Sequence, residues 1–472
     1  MSFPSFIRSK IVCTIGPASH SRETLLKMIE SGMDVARINM SHGEPKDQRS
    51  LFKTLRELGD FSILIDLPGP KIRLGELESS YVLEEGDSLH FTTNRILGNN
   101  KEVSVSYDKL PMEVSRGGHL FINDGAIDVE ITNIDQDLKG FTGIVVSGGE
   151  IDSRKGVNAP GAKLTLRPPT QKDLNGIKLG VEMDCDWFAA SFIRDSSDVE
   201  AVRREIEKVG GDQPVISKIE HGDAVKNIGE IIEASDGIMV ARGDLGIEIQ
   251  PWDVPLLQKK IIAACNRKGK PVIVATQMLE SMMVNPRPTR AEASDVANAL
   301  LDGADAVMLS GETAIGKYPV ESVHAMNSIG WVVQEQITQK EEPRMRGLNT
   351  ADLIGEFAAK SVEAVQPAAI IVVTRSGFSA LQVSKHRPKV IILTCTKDPR
   401  IGRRMHMYWG VKPLNIEWTD DRDRLVTRAV KKCLELKYLY PKDLVALVSG
   451  STLIAPGQTT TLEILKVEDI KM

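Results

Sequence analysis

The chain is poor in cysteine and uses it without pattern. Cys13, Cys185, Cys265, Cys395 and Cys433 are widely scattered with no C-x-x-C spacing, which suggests neither a disulfide framework nor a zinc cluster and fits a reducing cytoplasm. Long apolar runs are missing as well. No segment approaches the ~20 uninterrupted apolar residues of a membrane helix, and the opening MSFPSFIRSK has no apolar h-region, so neither export nor anchoring is expected. A long basic run is also absent. The formal charge of -5 and pI near 6.0 come from intermixed acids and bases, which argues against nucleic acid or a membrane surface as partner and leaves small molecules. No G-x-G-x-x-G follows the first strand pattern, so a dinucleotide-binding fold has no support.

What is present is length and rhythm. At 472 residues with 42% hydrophobic content, the chain can build two or three cores. Short β-branched runs alternate with helical patterns: KIVCTIG, DVARINMS and FSILIDL, each with a helix-period or turn-rich segment after it. From Lys71 to about Arg167 the helical period gives way to Gly- and turn-rich pieces such as SLHFTTN, EVSVSY and FTGIVVSGG, the pattern of an all-β insertion. The βα rhythm then returns with DWFAASF, PVISKIE, DGIMVAR, PVIVATQ and DAVMLSG. Three strands before the insertion and five after it make eight, the count of a closed (β/α)8 barrel; a doubly wound open sheet is the competing architecture. From about residue 338 the strands AAIIVVT, KVIILTC, VKPLNI and LVALVSG begin a separate α/β domain. The expected division is 1–70 and 168–337 for the barrel, 71–167 for an inserted β-barrel lid and 338–472 for a C-terminal α/β domain.

In a barrel, chemistry gathers at the C-terminal ends of the strands. The second strand ends in Arg37, Asn39, Ser41 and His42, and the third in Asp66 with Lys71 and Arg73 beyond a Pro-Gly-Pro turn. The fifth delivers Lys218 and Glu220, the sixth Arg242, Gly243 and Asp244, and the seventh Thr276. Glu220 and Asp244 come from neighbouring strands and could share a hard cation, Mg2+ being the natural candidate; helix capping or pairing with a nearby base explains either acid alone. Lys218 lies among apolar neighbours and needs an anionic partner, either a transferring group or a structural carboxylate such as Glu220 or Asp66. Lys71 and Arg73, two apart on an extended segment, are expected to face one anion, with Asp66 helping to set their field; solvated turn residues are the alternative. The stretch GETAIGKY matches a phosphate loop in spacing but puts Tyr318 where Ser or Thr is needed, and Pro319 tolerates only a helix starting there.

Together KIVCTIGPAS, ARINMSHG, GPKIRLGE, KGVNAPGA, ISKIE, MVARGDLGIEI, ATQMLESM, PTRAEASDVANA and LSGETAIGKYP span almost the whole chain, and by them the sequence resembles the pyruvate kinase family. The resemblance implies a barrel with a mobile β lid and a C-terminal regulatory domain. It also implies phosphoryl transfer from phosphoenolpyruvate to ADP with Mg2+, or Mn2+ in its place. By the same resemblance Arg37 grips the transferred phosphoryl, Lys218 is the catalytic ammonium, and Glu220 and Asp244 hold the metal. Gly243, Asp244 and Thr276 take the carboxylate end of phosphoenolpyruvate, with Thr276 near the protonated face. Asn39, His42, Arg73 and Lys155 match nucleotide-side positions. Thr374, Arg375, Ser376, Gly377 and Ser379, with help from residues 449–460, match the loop where phosphorylated effectors bind, although helix capping accounts for the same residues. A cytoplasmic homotetramer is implied, with PTRAEASDVANALLDG near its subunit contacts. Many relatives need K+, held at the positions of Asn39, Ser41 and Asp66 and by a Thr at Leu67, with a Glu at Lys71. Here the Thr is Leu and the Glu is Lys, and members with Lys there are the K+-independent ones, so K+ independence is expected with Lys71 as the resident cation. A metal-dependent aldolase or lyase is the alternative enzyme class, and a catalytically silent metabolite-binding module a further one.

Overall fold

The computed structural model describes residues 6–41, 43–337, 349–450 and 459–470; His42 and 451–458 of the proposed effector region lie outside them. Eight parallel strands close into a barrel: β1 (Lys10–Thr14), β2 (Val35–Asn39), β3 (Ser62–Leu67), β4 (Trp187–Ala190), β5 (Val215–Ile219), β6 (Gly237–Ala241), β7 (Val272–Ala275) and β8 (Ala306–Leu309). The closed barrel, rather than an open sheet, is therefore the architecture of the first part of the chain.

The period-2 alternation of a strand decides what the barrel contains. Val12, Val35, Leu64, Trp187, Ala189, Ile216, Met239, Ile273 and Met308 form one buried cluster, while their chain neighbours, such as Cys13, Ala36, Ile63 and Val215, join the larger cluster with the surrounding helices. Two residues further along the inward phase come Thr14, Arg37, Asp66, Ser191 and Lys218. The polar groups at the mouth are thus the top layer of a stack whose lower layers are apolar.

Below, the barrel is closed by another part of the chain. Met407, from a short helical turn at Met405–Met407, packs into the interior cluster, and Trp187 donates from Nε1 to the carbonyl of Arg404 at 3.2 Å. The buried Lys10 ammonium reaches the carbonyl of Val411 at 2.8 Å. Arg387 is seated on the same face: it meets Asp305 at 2.6 Å and donates to Asn266 Oδ1 and the Gly303 carbonyl, both at 2.8 Å. Trp409 lies between two guanidinium groups, Arg8 at 5.6 Å and Arg387 at 5.4 Å from its ring centroid. The C-terminal sheet that carries this floor runs, in spatial order, Val411–Asn415, Ile391–Thr396, Ala369–Val373, Leu444–Ser449 and Thr461–Lys466. The first four are parallel; the last is antiparallel and was not anticipated, because its half-exposed TLEILK lacks the continuous apolar run of its neighbours.

Between β3 and β4 the insert expected as a β-barrel lid forms a seven-stranded sheet plus a two-stranded one rather than a closed barrel, with Phe91 stacked on Phe141 at 4.9 Å. His119–Ile122 and Ile127–Ile134 join the strands expected from sequence. Within it His90 stands between Glu102 at 3.0 Å and Asp135 at 2.9 Å. Burial opposes the charged ring, but the two carboxylates outweigh it and raise the pKa above 6.5. Because the folded lid holds that proton more tightly than the unfolded chain, the contribution is complete below pH 6.5 and lost as pH rises through the raised pKa. Amide exchange in Ser88–Thr92 and Gly140–Ser147, corrected for intrinsic rates, should therefore show less protection at pH 8 than at pH 6. His90→Gln should flatten that difference, and an unchanged pH profile in the variant would rule out His90 as its source.

Candidate active site

The turn after β3 bends sharply at Gly69, whose φ is 64° and where a Cβ would lie 2.9 Å from Ser191. Its N–H donates to Asp173 Oδ1 at 2.9 Å, so the chain leaves the barrel for the lid at a fixed angle. That angle separates the two cations expected to share an anion. Lys71 Nζ reaches Asp244 Oδ1 at 2.8 Å and stands 3.6 Å from Asp124 Oδ1. Arg73, already paired with Gly156 in a lid strand, donates to the Arg154 carbonyl at 3.1 Å. Asp66 serves neither of them.

Asp66, 2% exposed, is instead the hub of the barrel interior. Arg37 Nε donates to its Oδ2 at 2.8 Å and Lys218 Nζ to its Oδ1 at 3.2 Å. Burial would raise the Asp66 pKa, but the two cations outweigh that and hold it below the ordinary value. Arg37 also donates from Nη1 to Thr14 Oγ1 at 2.7 Å, which fixes its plane. Lys218 has two further partners, Ser191 Oγ at 2.8 Å and Glu220 Oε1 at 2.8 Å. Desolvation works against its charge, yet Asp66 and Glu220 prevail and raise its pKa above the usual lysine value. The structural ion pairs weighed as an alternative for Lys218 thus both exist, in the same place as the expected catalytic group.

Glu220 accepts from the Phe192 N–H at 2.8 Å. Its pKa is raised, first by burial and then, against the pull of Lys218, by Asp244. A buried carboxylate whose charge is disfavoured, with the Asp244 carboxylate beside it, fits a hard divalent cation that would complete its shell with substrate oxygens and water. Among the described residues no group of three or more His, Cys, Asp or Glu forms an all-protein metal cage. Asp244 belongs to the short helix Arg242–Glu248 that follows β6. The preceding Gly243 N–H donates to Thr276 Oγ1 at 2.7 Å, and Thr276 sits at φ 69° with Gln277 at 53°. Arg242 secures this strained pair by donating to the Thr276 carbonyl at 2.8 Å while bound to Asp295 at 2.8 Å.

Lys71, Asp124, Gly243, Asp244 and Thr276 line one cavity of about 990 Å3. Asn39 lies nearby in the strand register, opposite Asp66, its Oδ1 accepting from the Ser41 N–H at 3.0 Å. Lys155 is on the lid segment leading into Gly156–Asn158, with its carbonyl accepting from Leu74. At the lid's base Asn158 donates to Glu248 Oε1 at 3.1 Å, and Glu248 is pushed up to about 7 by burial and, more weakly, by Asp244 and Asp223. Ser191 and Thr14 were not anticipated as site residues, although the inward phase set by Trp187 and Val12 points to both. Asp124 and Glu248 carried no such signal, because they meet the site through tertiary docking of the lid.

In the C-terminal domain the loop before the helix Phe378–Ser384 closes largely on itself. Thr374 Oγ1 accepts from the Gly377 N–H at 3.1 Å and Ser376 Oγ from Phe378 at 3.4 Å. Ser379 is bonded to Thr459 at 2.5 Å, and Arg375 pairs with Asp420 at 2.9 Å and stacks 5.3 Å from the Trp418 ring. The GETAIGKY segment is the loop after β8: it forms the short helix Gly311–Ala314, and Pro319 begins the helix Pro319–Val333 as its chemistry requires.

Comparison with known proteins agrees with this architecture. Residues 6–323 match the family model "Pyruvate kinase, barrel domain" and residues 352–465 match "Pyruvate kinase, alpha/beta domain". A pyruvate kinase of Bacillus licheniformis is 41% identical over 471 residues, covering 98% of this chain and 80% of that protein. Those of Sporosarcina psychrophila and Geobacillus stearothermophilus are each 40% identical over 474 residues, covering 98% of this chain and 81% of theirs. Among the described residues no helix is long and apolar enough to cross a membrane. With the stacked barrel, its polar mouth and identity along nearly the whole chain in agreement, the protein belongs to the pyruvate kinase family, which transfers the phosphoryl group of phosphoenolpyruvate to ADP.

Proposed function

We propose that the reaction runs on the layer formed by Arg37, Asp66, Lys218 and Glu220, and that Glu220 with Asp244 holds the divalent cation the family depends on, Mg2+ or Mn2+. The observation that supports this most is the single buried point at which Lys218 meets Asp66, Ser191 and Glu220. A cation so placed is oriented before substrate arrives, and stabilising charge without reorganisation is what a transferring phosphoryl group needs. Bound there, the metal supplies charge to neutralise substrate oxygens.

The chain's own residues do the rest. Arg37, held flat by Asp66 and Thr14, grips the phosphoryl. Lys218 balances the charge that develops on the transferred group and on the enolate oxygen left behind. Gly243, Asp244 and Thr276 position the carboxylate end, and Thr276 lies at the face where the enolate carbon takes its proton. Asn39, Arg73 and Lys155 are assigned to the nucleotide, as is His42. The lid, whose two connections enter beside Lys71 and Gly156, closes over the mouth and keeps water from competing for the phosphoryl. The 71–167 lid and the 338–472 domain are read as closing and regulatory units. Thr374, Arg375, Ser376, Gly377 and Ser379 are assigned to a phosphorylated effector, and the working form to a cytoplasmic homotetramer.

Lys71 is read as the resident substitute for K+. Asp66 is already engaged by Arg37 and Lys218, Asn39 by the Ser41 N–H, and Leu67 is buried with no side-chain oxygen to offer. An ammonium at the mouth, its pKa raised because Asp244 and Asp124 outweigh the burial that opposes its charge, needs no recruitment from solution. Full turnover is expected in K+-free buffer containing Mg2+ and a bulky organic cation. Lys71→Glu, most clearly when combined with Leu67→Thr, should make turnover depend on added K+. Strong activation of the parent enzyme by K+ at constant ionic strength would overturn the assignment.

A further inference from the structure

Asp124 is a carboxylate that the lid brings to the barrel mouth. It sits at the tip of the turn between His119–Ile122 and Ile127–Ile134, where Asn123, Asp124 and Gly125 take φ values of 56°, 55° and 87° in succession. Asn and Asp are the side-chain-bearing residues that best tolerate left-handed backbone, and the Asn-Asp-Gly run specifies a tight hairpin turn here. A Cβ on Gly125 would stand 3.5 Å from Ile247, so the turn rests against the helix that carries Asp244. The Asp124 side chain is 78% exposed and has Lys71 3.6 Å away.

Lys71 is the piece between the two. Its stem passes over Gly156, where a Cβ would lie 2.7 Å from Lys71 Cε, so the glycine lets the stem take this path without being pushed aside. At the end of the path its ammonium has two carboxylates within reach, Asp244 at 2.8 Å and Asp124 at 3.6 Å. A divalent cation on Asp244 repels the ammonium held on its Oδ1, so loading the cation weakens that pair. The remaining acceptor is on the lid.

We propose that Asp124 is a positioning residue that takes over Lys71 when a divalent cation occupies Asp244, so that loading the cation ties down the lid turn already resting at the mouth. The inference rests on the reading of Asp244 as a cation ligand. A shift of less than about 1 Å brings Asp124 from 3.6 Å to hydrogen-bonding distance of Lys71. Cation binding and lid closure then share one lysine, and each favours the other by the same factor.

The test uses Mn2+ alone for affinity and Mg2+ alone for lid position, without substrates. Because all five cysteines are buried, labels on Lys53→Cys in a barrel helix and Asp137→Cys in the lid report the distance between them. Saturating Mg2+ should narrow the spread of that distance, and Asp124→Asn should abolish the narrowing while Asp124→Glu restores it. Asp124→Asn should also weaken Mn2+ binding about two- to fivefold, the size of an exposed ion pair. In a Lys71→Met background the same substitution should leave Mn2+ affinity unchanged, the pattern of a pairwise coupling. If Asp244→Asn leaves Mn2+ affinity intact, the cation reading falls and this inference with it. If Asp244→Asn abolishes binding but Asp124→Asn acts equally with and without Lys71→Met, or leaves the lid response intact, the cation site stands and the role of Asp124 is refuted.

Discussion

Lys218→Met is expected to lower kcat by ~10^2 to 10^3, the cost of removing one preorganised charge from a transition state, while the Michaelis constant for phosphoenolpyruvate changes far less. Methionine keeps most of the apolar stem, so the stacking of Ile216 and Met239 below it is preserved. What disappears is the one group that joins Asp66, Ser191 and Glu220. Arg37 still holds Asp66, which is why the mouth should stay folded and the circular dichroism spectrum unchanged. A loss confined to kcat marks an interaction made in the transition state, whereas a rise in the Michaelis constant alone would mark Lys218 as a ground-state binding group. Near-parental turnover in a folded variant would remove Lys218 from the mechanism.

Arg387→Met is expected to have the largest effect on stability, at a site far from the chemistry. It leaves Asp305, 3% exposed, with the Val272 N–H as the remaining hydrogen-bond donor to its carboxylate among the described residues, and an uncompensated buried carboxylate costs about 3–5 kcal/mol. The substitution also removes the bonds to Asn266 and Gly303 and one of the two guanidinium groups on Trp409. Scanning calorimetry should show the transition that includes this interface lowered by roughly 5–10 °C. Asp305→Asn added to Arg387→Met should recover part of the loss, because a neutral amide is cheaper to bury than an unpaired charge. A drop of under ~1 kcal/mol in the single variant would mean that Asp305 finds water or another cation.

The barrel was legible in the sequence because its strands are short, apolar and evenly spaced, and because a parallel strand buried on both faces has to read that way. Its mouth was legible for a related reason: Arg37, Asp66 and Lys218 are polar residues interrupting apolar strands, and such interruptions are rarely idle. The partners of Lys71 and Arg73 were not legible. Two cations at i and i+2 share a face only while the strand continues undisturbed, and here Lys71 lies in the turn while Arg73 is already paired in the lid. The antiparallel edge strand Thr461–Lys466 was hidden by its exposure, and the docking of Asp124 and Glu248 by the distance along the chain between lid and mouth. The floor of the barrel was equally silent, since nothing in MHMYWG indicates which end of which domain it will cover.

That floor has a consequence for the traffic of water. Met407 and the apolar layers above it make the barrel a shaft stoppered at the bottom, so solvent reaches Lys218 from one side only. An enzyme that must keep its phosphoryl group from hydrolysis then has a single opening to guard. For a vessel already sealed below by Met405–Met407, the closing role proposed for residues 71–167 needs to cover only that opening.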